Sequence, residues 1–229
     1  MKKTIAALIV AAVTAACSPS PPRPAEQPGE VPAEFPAAYY QAAAARGAAV
    51  FRIDTARSLV ILEVRRAGSL ARLGHDHVVA SHDVHGSIAP QAGVADLYVP
   101  LALLVVDESP LRAEAGFDTQ PSADDVAGTR RNMMTRVLDV ERYPYAVVAV
   151  KGVPSGVADP VADVSLTLHG VTRSMQIPLH VQTGRDEISV SGGLVIAQTD
   201  FGMTPLSILG GAIQVADDVR LHLEIHARR

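Results

Sequence analysis

In the run Val219-Arg220-Leu221-His222-Leu223-Glu224-Ile225-His226, every odd position is apolar and every even position is polar. Alternation over eight residues has the period of a β-strand, because successive side chains leave a pleated backbone on opposite faces. The same period recurs along the chain. Val60, Leu62 and Val64 share a face within residues 59–65, as do Leu97 and Val99 within 95–101. Residues 164–169 align Val164, Leu166 and Leu168, and residues 174–181 align Met175, Ile177, Leu179 and Val181. Between these last two, residues 169–173 read as a tight turn, so the pair forms a hairpin. Further strands are expected at 50–53, 78–88, 146–150 and 188–197. One stretch breaks the pattern: residues 124–138 space Val126, Met133, Met134, Val137 and Leu138 helically, with Ser122 or Asp124 as N-cap.

Eight or nine strands, each with one apolar face and short connections, favour antiparallel pairing. Closing the sheet on itself removes its edges and turns the apolar phase inward. The expected fold is an all-β antiparallel barrel of about eight strands with one inserted α-helix.

The N-terminus has a different character. Lys2 and Lys3 precede an apolar run at residues 5–13 and then Thr14, Ala15 and Ala16, the layout of a secretory signal peptide too short to span a bilayer. The single cysteine of the chain, Cys17, follows directly. Thr14-Ala15-Ala16-Cys17 resembles a bacterial lipobox, although Thr14 stands where Leu is usual; the alternative is an ordinary signal peptide with a chance cysteine. A lipidated Cys17 carries two acyl chains and anchors firmly. Ser18, where Asp would signal inner-membrane retention, points to the outer membrane. Residues 18–36 are rich in proline and are expected to form a semi-rigid tether, and an alanine-rich stretch ending at Gly47 suits a short helix. The chain divides into a signal peptide, 1–16, a lipidated N-terminus and Pro/Ala-rich tether, 17–47, and a barrel domain, 48–229.

Composition narrows the function classes. Without residues 1–16 the chain keeps 18 basic against 24 acidic side chains, which argues against nucleic acid and against a polybasic membrane patch. A lone cysteine allows neither an internal disulfide nor a thiolate metal cage. The sequence has no Gly-x-Ser-x-Gly elbow, no His-Glu-x-x-His and no Gly-rich phosphate loop. No enzymatic constellation and no cofactor are implied.

Four stretches resemble the YceI-like family, in the family's order. Phe51-Arg52-Ile53-Asp54 with Ser58-Leu59-Val60-Ile61-Leu62-Glu63-Val64 matches its opening strands. The passage from Met133 to Tyr145 resembles its helix-to-strand segment ending in a Tyr-Pro pair. Val164-Ser165-Leu166-Thr167-Leu168-His169-Gly170-Val171-Thr172-Arg173 is the most specific match, and Thr199-Asp200-Phe201-Gly202-Met203 resembles a late Asp-Phe-Gly segment. The likeness spans about residues 49 to 227. It implies a lipocalin-like barrel that binds polyisoprenoid or related long-chain lipids in the cell envelope without catalysis.

On that reading Val60, Leu62, Val64, Leu97, Val99, Leu166, Ile177, Leu179, Leu221 and Leu223 line a ligand cavity. Periodicity alone equally allows them to fill a solid core. The rival signal is histidine: His75, His77, His82 and His85 fall within eleven residues. His75 and His77, on one strand face, are close enough to share a metal ion, which would make a periplasmic metal-binding or stress-responsive protein. Alternatively His75 and Asp76 pin a turn after Gly74 while His77 meets a local carbonyl or carboxylate, or the cluster sits at the cavity mouth and meets a lipid head group. Arg130 with Arg131 offers a second head-group clamp, against the simpler reading of a solvated helix face. His169, His180, His222 and His226 fall on the polar phase.

Overall fold

The computed structural model describes residues 31–229, so the signal peptide, Cys17 and the tether up to residue 30 lie outside the described residues. Twelve strands form one sheet: β1 (Phe51–Ile53), β2 (Leu59–Ala67), β3 (His77–Ser81), β4 (His85–Ala89), β5 (Val94–Pro100), β6 (Val105–Val106), β7 (Tyr145–Lys151), β8 (Val161–Leu168), β9 (Val171–Thr183), β10 (Glu187–Ala197), β11 (Ser207–Ile208) and β12 (Ile213–Arg228). Apart from the small β11 flap, they make eight staves. Three staves are kinked pairs: β1 with β2, β3 with β4, and β5 with β6. Each stave pairs antiparallel with the next, and β12 returns to both β2 and β1, so the meander closes into an eight-stave barrel. The expected fold class is the one observed.

The kinks have local causes. The single strand anticipated at 78–88 is two, because the Ser81 hydroxyl accepts the Asp83 N–H and the Val84 carbonyl accepts from Thr55, which draws residues 82–84 out of the ladder. Past this corner Gly86 lies so close to β5 that a Cβ there would sit 2.2 Å from the Asp96 carbonyl oxygen. The hairpin turn is also tighter than the five residues anticipated. Leu168 pairs with Val171, leaving a two-residue turn in which His169 (φ 51°) and Gly170 (φ 75°) are both left-handed. That is the primed geometry whose twist matches the flanking strands.

Three helices decorate the barrel: α1 (Ala37–Ala45), α2 (Ser109–Glu114) and α3 (Ala123–Asn132). Ser122 caps α3 through a capping box with Asp125, and a π-helical turn, Met133–Val137, continues it. The helix anticipated at 124–138 is therefore a ten-residue α-helix plus a wide turn. Its Val126, Met133, Met134, Val137 and Leu138 pack on the core at one barrel end. The helix α2 carries no clear periodicity and went unread in the sequence. Among the described residues no helix is long and apolar enough to cross a membrane.

The alanine-rich α1 lies against the outer, polar phase of β5. The buried Tyr40 hydroxyl donates to Asp96 at 2.6 Å, and Phe35 meets Tyr98 edge-on at 5.2 Å. Burial, reinforced by the Asp96 carboxylate, pushes the Tyr40 phenol far above its ordinary pKa. Replacing Tyr40 with Phe leaves that carboxylate without its donor, and is expected to lower the unfolding free energy by about 1–3 kcal/mol. Limited proteolysis should then cut the α1 segment faster; unchanged cleavage would show that the bond does not hold the helix.

Candidate functional site

Inward-facing side chains of the staves leave a cavity rather than a filled core. It has two apolar chambers, of about 230 Å³ and about 180 Å³. Val60, Val99, Ala146, Leu166 and Leu221 belong to the walls of both, so they form a waist between them. The larger chamber adds Leu97, Ile177, Leu179 and Leu223 and runs to the barrel end closed by residues 153–157. The smaller adds Leu62 and Val64 and ends beneath α3, at Met133, Val137 and Leu138. All ten apolar residues singled out from the alternation thus face the cavity. Small side chains and the absence of large rings keep the bore open: the inward positions of β7 are Ala146, Val148 and Val150.

Four polar side chains, His77, Ser81, Thr129 and Gln198, join the wall of the smaller chamber. His77 leaves β3 on the inward phase, with its side chain 12% exposed. Its Nδ1 lies 2.6 Å from Asp107 Oδ2, and its Nε2 lies 3.3 Å from the hydroxyl of Thr129 on α3. Whichever of Nε2 and the hydroxyl donates, the threonine oxygen keeps a lone pair for a ligand. Behind this pair stands a buried ion pair. Arg112 donates to Asp107 Oδ1, to the Asp76 carbonyl and to the Thr119 carbonyl, and Asp107 also accepts the Val78 N–H. Burial raises the Asp107 pKa, but the hydrogen bonds from His77 and Arg112 outweigh it and hold the carboxyl below the usual carboxylate range.

Carboxylate, imidazole and hydroxyl stand here in the order of a nucleophile relay. Thr129, however, sits inside α3, where the neighbouring backbone N–H groups are committed to the helix.

The other candidates lie elsewhere. His75 precedes β3 and its ring centroid is 6.2 Å from that of His77. Its Nε2 is 3.8 Å from Asp125, and its buried Nδ1 has no hydrogen-bond partner. The histidines do not gather into a metal set: His77 turns to Asp107, His82 to Glu108 and His85 to Asp83. Among the described residues no three histidine, cysteine or acidic side chains converge as metal ligands. Asp76 pins the loop, as in the turn-pinning alternative, by accepting the Arg66 N–H at 2.8 Å. Arg130 donates to the Ala102 carbonyl at 2.7 Å and ties α3 to the loop after β5, away from the chamber wall. Sequence reading missed Thr129, Asp107 and Arg112. Asp107 and Arg112 act on the chamber only through His77, a relation with no sequence signal.

Comparison with known proteins agrees with this geometry. Residues 51–227 match the family model described as the YceI-like domain. Among solved structures, a polyisoprenoid binding domain from Saccharophagus degradans implicated in plant cell wall breakdown superposes with a TM-score of 0.56 at 17% identity, covering 79% of this chain and 98% of that one. BcnA of Burkholderia cenocepacia superposes with a TM-score of 0.55, also at 17% identity, over 76% of this chain and 98% of the other. No curated protein sequence matches the chain significantly.

Proposed function

Because the chain belongs to the YceI-like domain family, we propose that its barrel binds a long-chain, isoprenoid-like lipid and sequesters or carries it in the cell envelope without chemical conversion. The observation that carries this reading is the pair of adjoining apolar chambers, which share five wall residues and are lined by aliphatic side chains. Their bore suits an extended hydrocarbon chain threaded past the waist. The polyisoprenoid-binding domain from S. degradans supports the same ligand class. The head of the ligand sits in the smaller chamber, against Thr129 and His77. The signal-like layout of residues 1–16 and the lipobox-like setting of Cys17 support a barrel tethered by a lipidated, proline-rich N-terminus at the periplasmic face of a membrane, preferably the outer one.

Organic extraction of the purified protein followed by mass spectrometry tests the reading. A stoichiometric long-chain lipid is expected; recovery of none, with no uptake of added polyprenyl compounds, overturns it. Thr129→Val keeps the shape of the side chain and removes the hydroxyl. One lost hydrogen bond of about 0.5–1.5 kcal/mol predicts roughly two- to tenfold weaker retention of a lipid with a hydroxyl or carbonyl head. Retention of a plain hydrocarbon probe should not change, and equal losses for both would remove the head-group assignment.

A further inference from the structure

The barrel end above the smaller chamber carries an apolar lip. Leu73 is 60% exposed, Ile208 48% and Leu209 70%. They belong to two loops, one between β2 and β3 and one around β11, joined where the Leu70 N–H donates to the Ala212 carbonyl at 2.8 Å. Soluble surfaces carry isolated apolar side chains without consequence, but three on adjoining loops at the end of a cavity mark a contact.

Three further observations say what the contact is. Leu209 holds a left-handed backbone, φ 51°, before Gly210 and Gly211. A bulky side chain in that region is an outlier, and here the strain projects it into solvent rather than into the core. The flap is also continuous with the cavity: Leu206 and Val215, joined at its root by a 2.9 Å hydrogen bond, line the smaller chamber. Finally, the lip is almost free of charge. Residues 67–74 and 201–216 contain one charged side chain, Arg72, in a chain whose net charge is −4. Three apolar tips beside a single cation match a phospholipid interface, where acyl chains meet anionic phosphates.

We infer that this lip docks the barrel on a lipid bilayer, with Ile208, Leu209 and Leu73 entering the interface so that a lipid passes between membrane and cavity along the flap. The inference rests on the lipid-carrying function proposed above.

The chain contains no tryptophan, so Leu209→Trp installs a single reporter. The matched control is Val161→Trp, an exposed outward position at the opposite end of the barrel. Mature, anchored protein of each variant is reconstituted into phosphatidylethanolamine–phosphatidylglycerol vesicles with brominated acyl chains. The Leu209→Trp indole is expected to blue-shift and to be quenched about threefold more than the control, as for side chains ~5–10 Å into the headgroup–acyl boundary. Leu73→Trp, on the other loop, should behave the same way and covers the case in which Leu209→Trp misfolds. Equal quenching at both barrel ends overturns the inference. So does a blue shift that follows protein concentration and not bromolipid, because a second copy would then cover the lip. Lipid recovered by extraction without quenching refutes the docking alone, and quenching without extractable lipid upholds the docking while the cargo reading fails.

Discussion

Replacing Arg112 with Met is expected to destabilise the protein by about 3–5 kcal/mol in chemical denaturation, the cost of leaving one member of a buried ion pair alone. Asp107 is 1% exposed and Arg112 6%, so water cannot take the place of the missing guanidinium. The loss also uncovers two backbone carbonyls, those of Asp76 and Thr119, which hold the loop before β3 and the loop after α2. A double variant, Asp107→Asn with Arg112→Met, removes the stranded charge and should recover part of the loss. Asparagine tolerates the left-handed backbone, φ 60°, at position 107. If the double variant is as unstable as the single one, the bonds to the loop carbonyls matter more than the charge.

The same pair sets an acid limit. Because the native pKa of Asp107 lies below its ordinary value, its contribution to stability is complete above the unfolded value of about 3.9 and is lost as pH falls through the lower native value. In Arg112→Met the lowering shrinks, and with it this part of the acid arm of the stability profile.

The second large effect concerns occupancy. Ala146 lies in the waist shared by both chambers, and a phenyl ring there would divide the bore. Ala146→Phe should leave the far-UV circular dichroism unchanged. Overpacking typically costs about 1–3 kcal/mol, and the cavity itself offers room. Lipid recovered by extraction should fall by about tenfold or more, equivalent to at least ~1.4 kcal/mol of binding. Unchanged recovery would mean that the ligand occupies one chamber only and never passes the waist.

How much of this was legible in the sequence depends on which physical force wrote each feature. Burial writes period two, so the staves and all ten cavity-facing residues could be read from Val60 to Leu223. The alternation could not say whether those side chains meet across the bore, because a cavity and a core demand the same pattern; bore width depends on how small residues such as Ala146 face one another in three dimensions. The corner at residues 82–84 was invisible because it rests on side-chain-to-backbone bonds from residues as distant as Thr55. The histidines misled in an instructive way. His75 and His77 are neighbours in sequence and in space, yet they turn to different acids, Asp125 and Asp107, on elements that the tertiary fold alone brings near. Val147 and Ala149 break the polar phase of β7, and both are half-buried on its outer side.

Closure by β12 has a consequence for the order in which the molecule can assemble. Arg52 pairs with Arg228 and Val60 with Leu223, so the first stave finds its second neighbour only in the last. A growing chain presents seven staves with two open edges, each a template for unwanted pairing. Contacts so distant in sequence form slowly, since a long loop must close before they reward it. The completed barrel has no edge left, but the nascent one is most exposed just before its final sixteen-residue strand arrives. Chaperone demand should therefore peak late in its biogenesis, when the aliphatic interior is already laid out and still open to its surroundings.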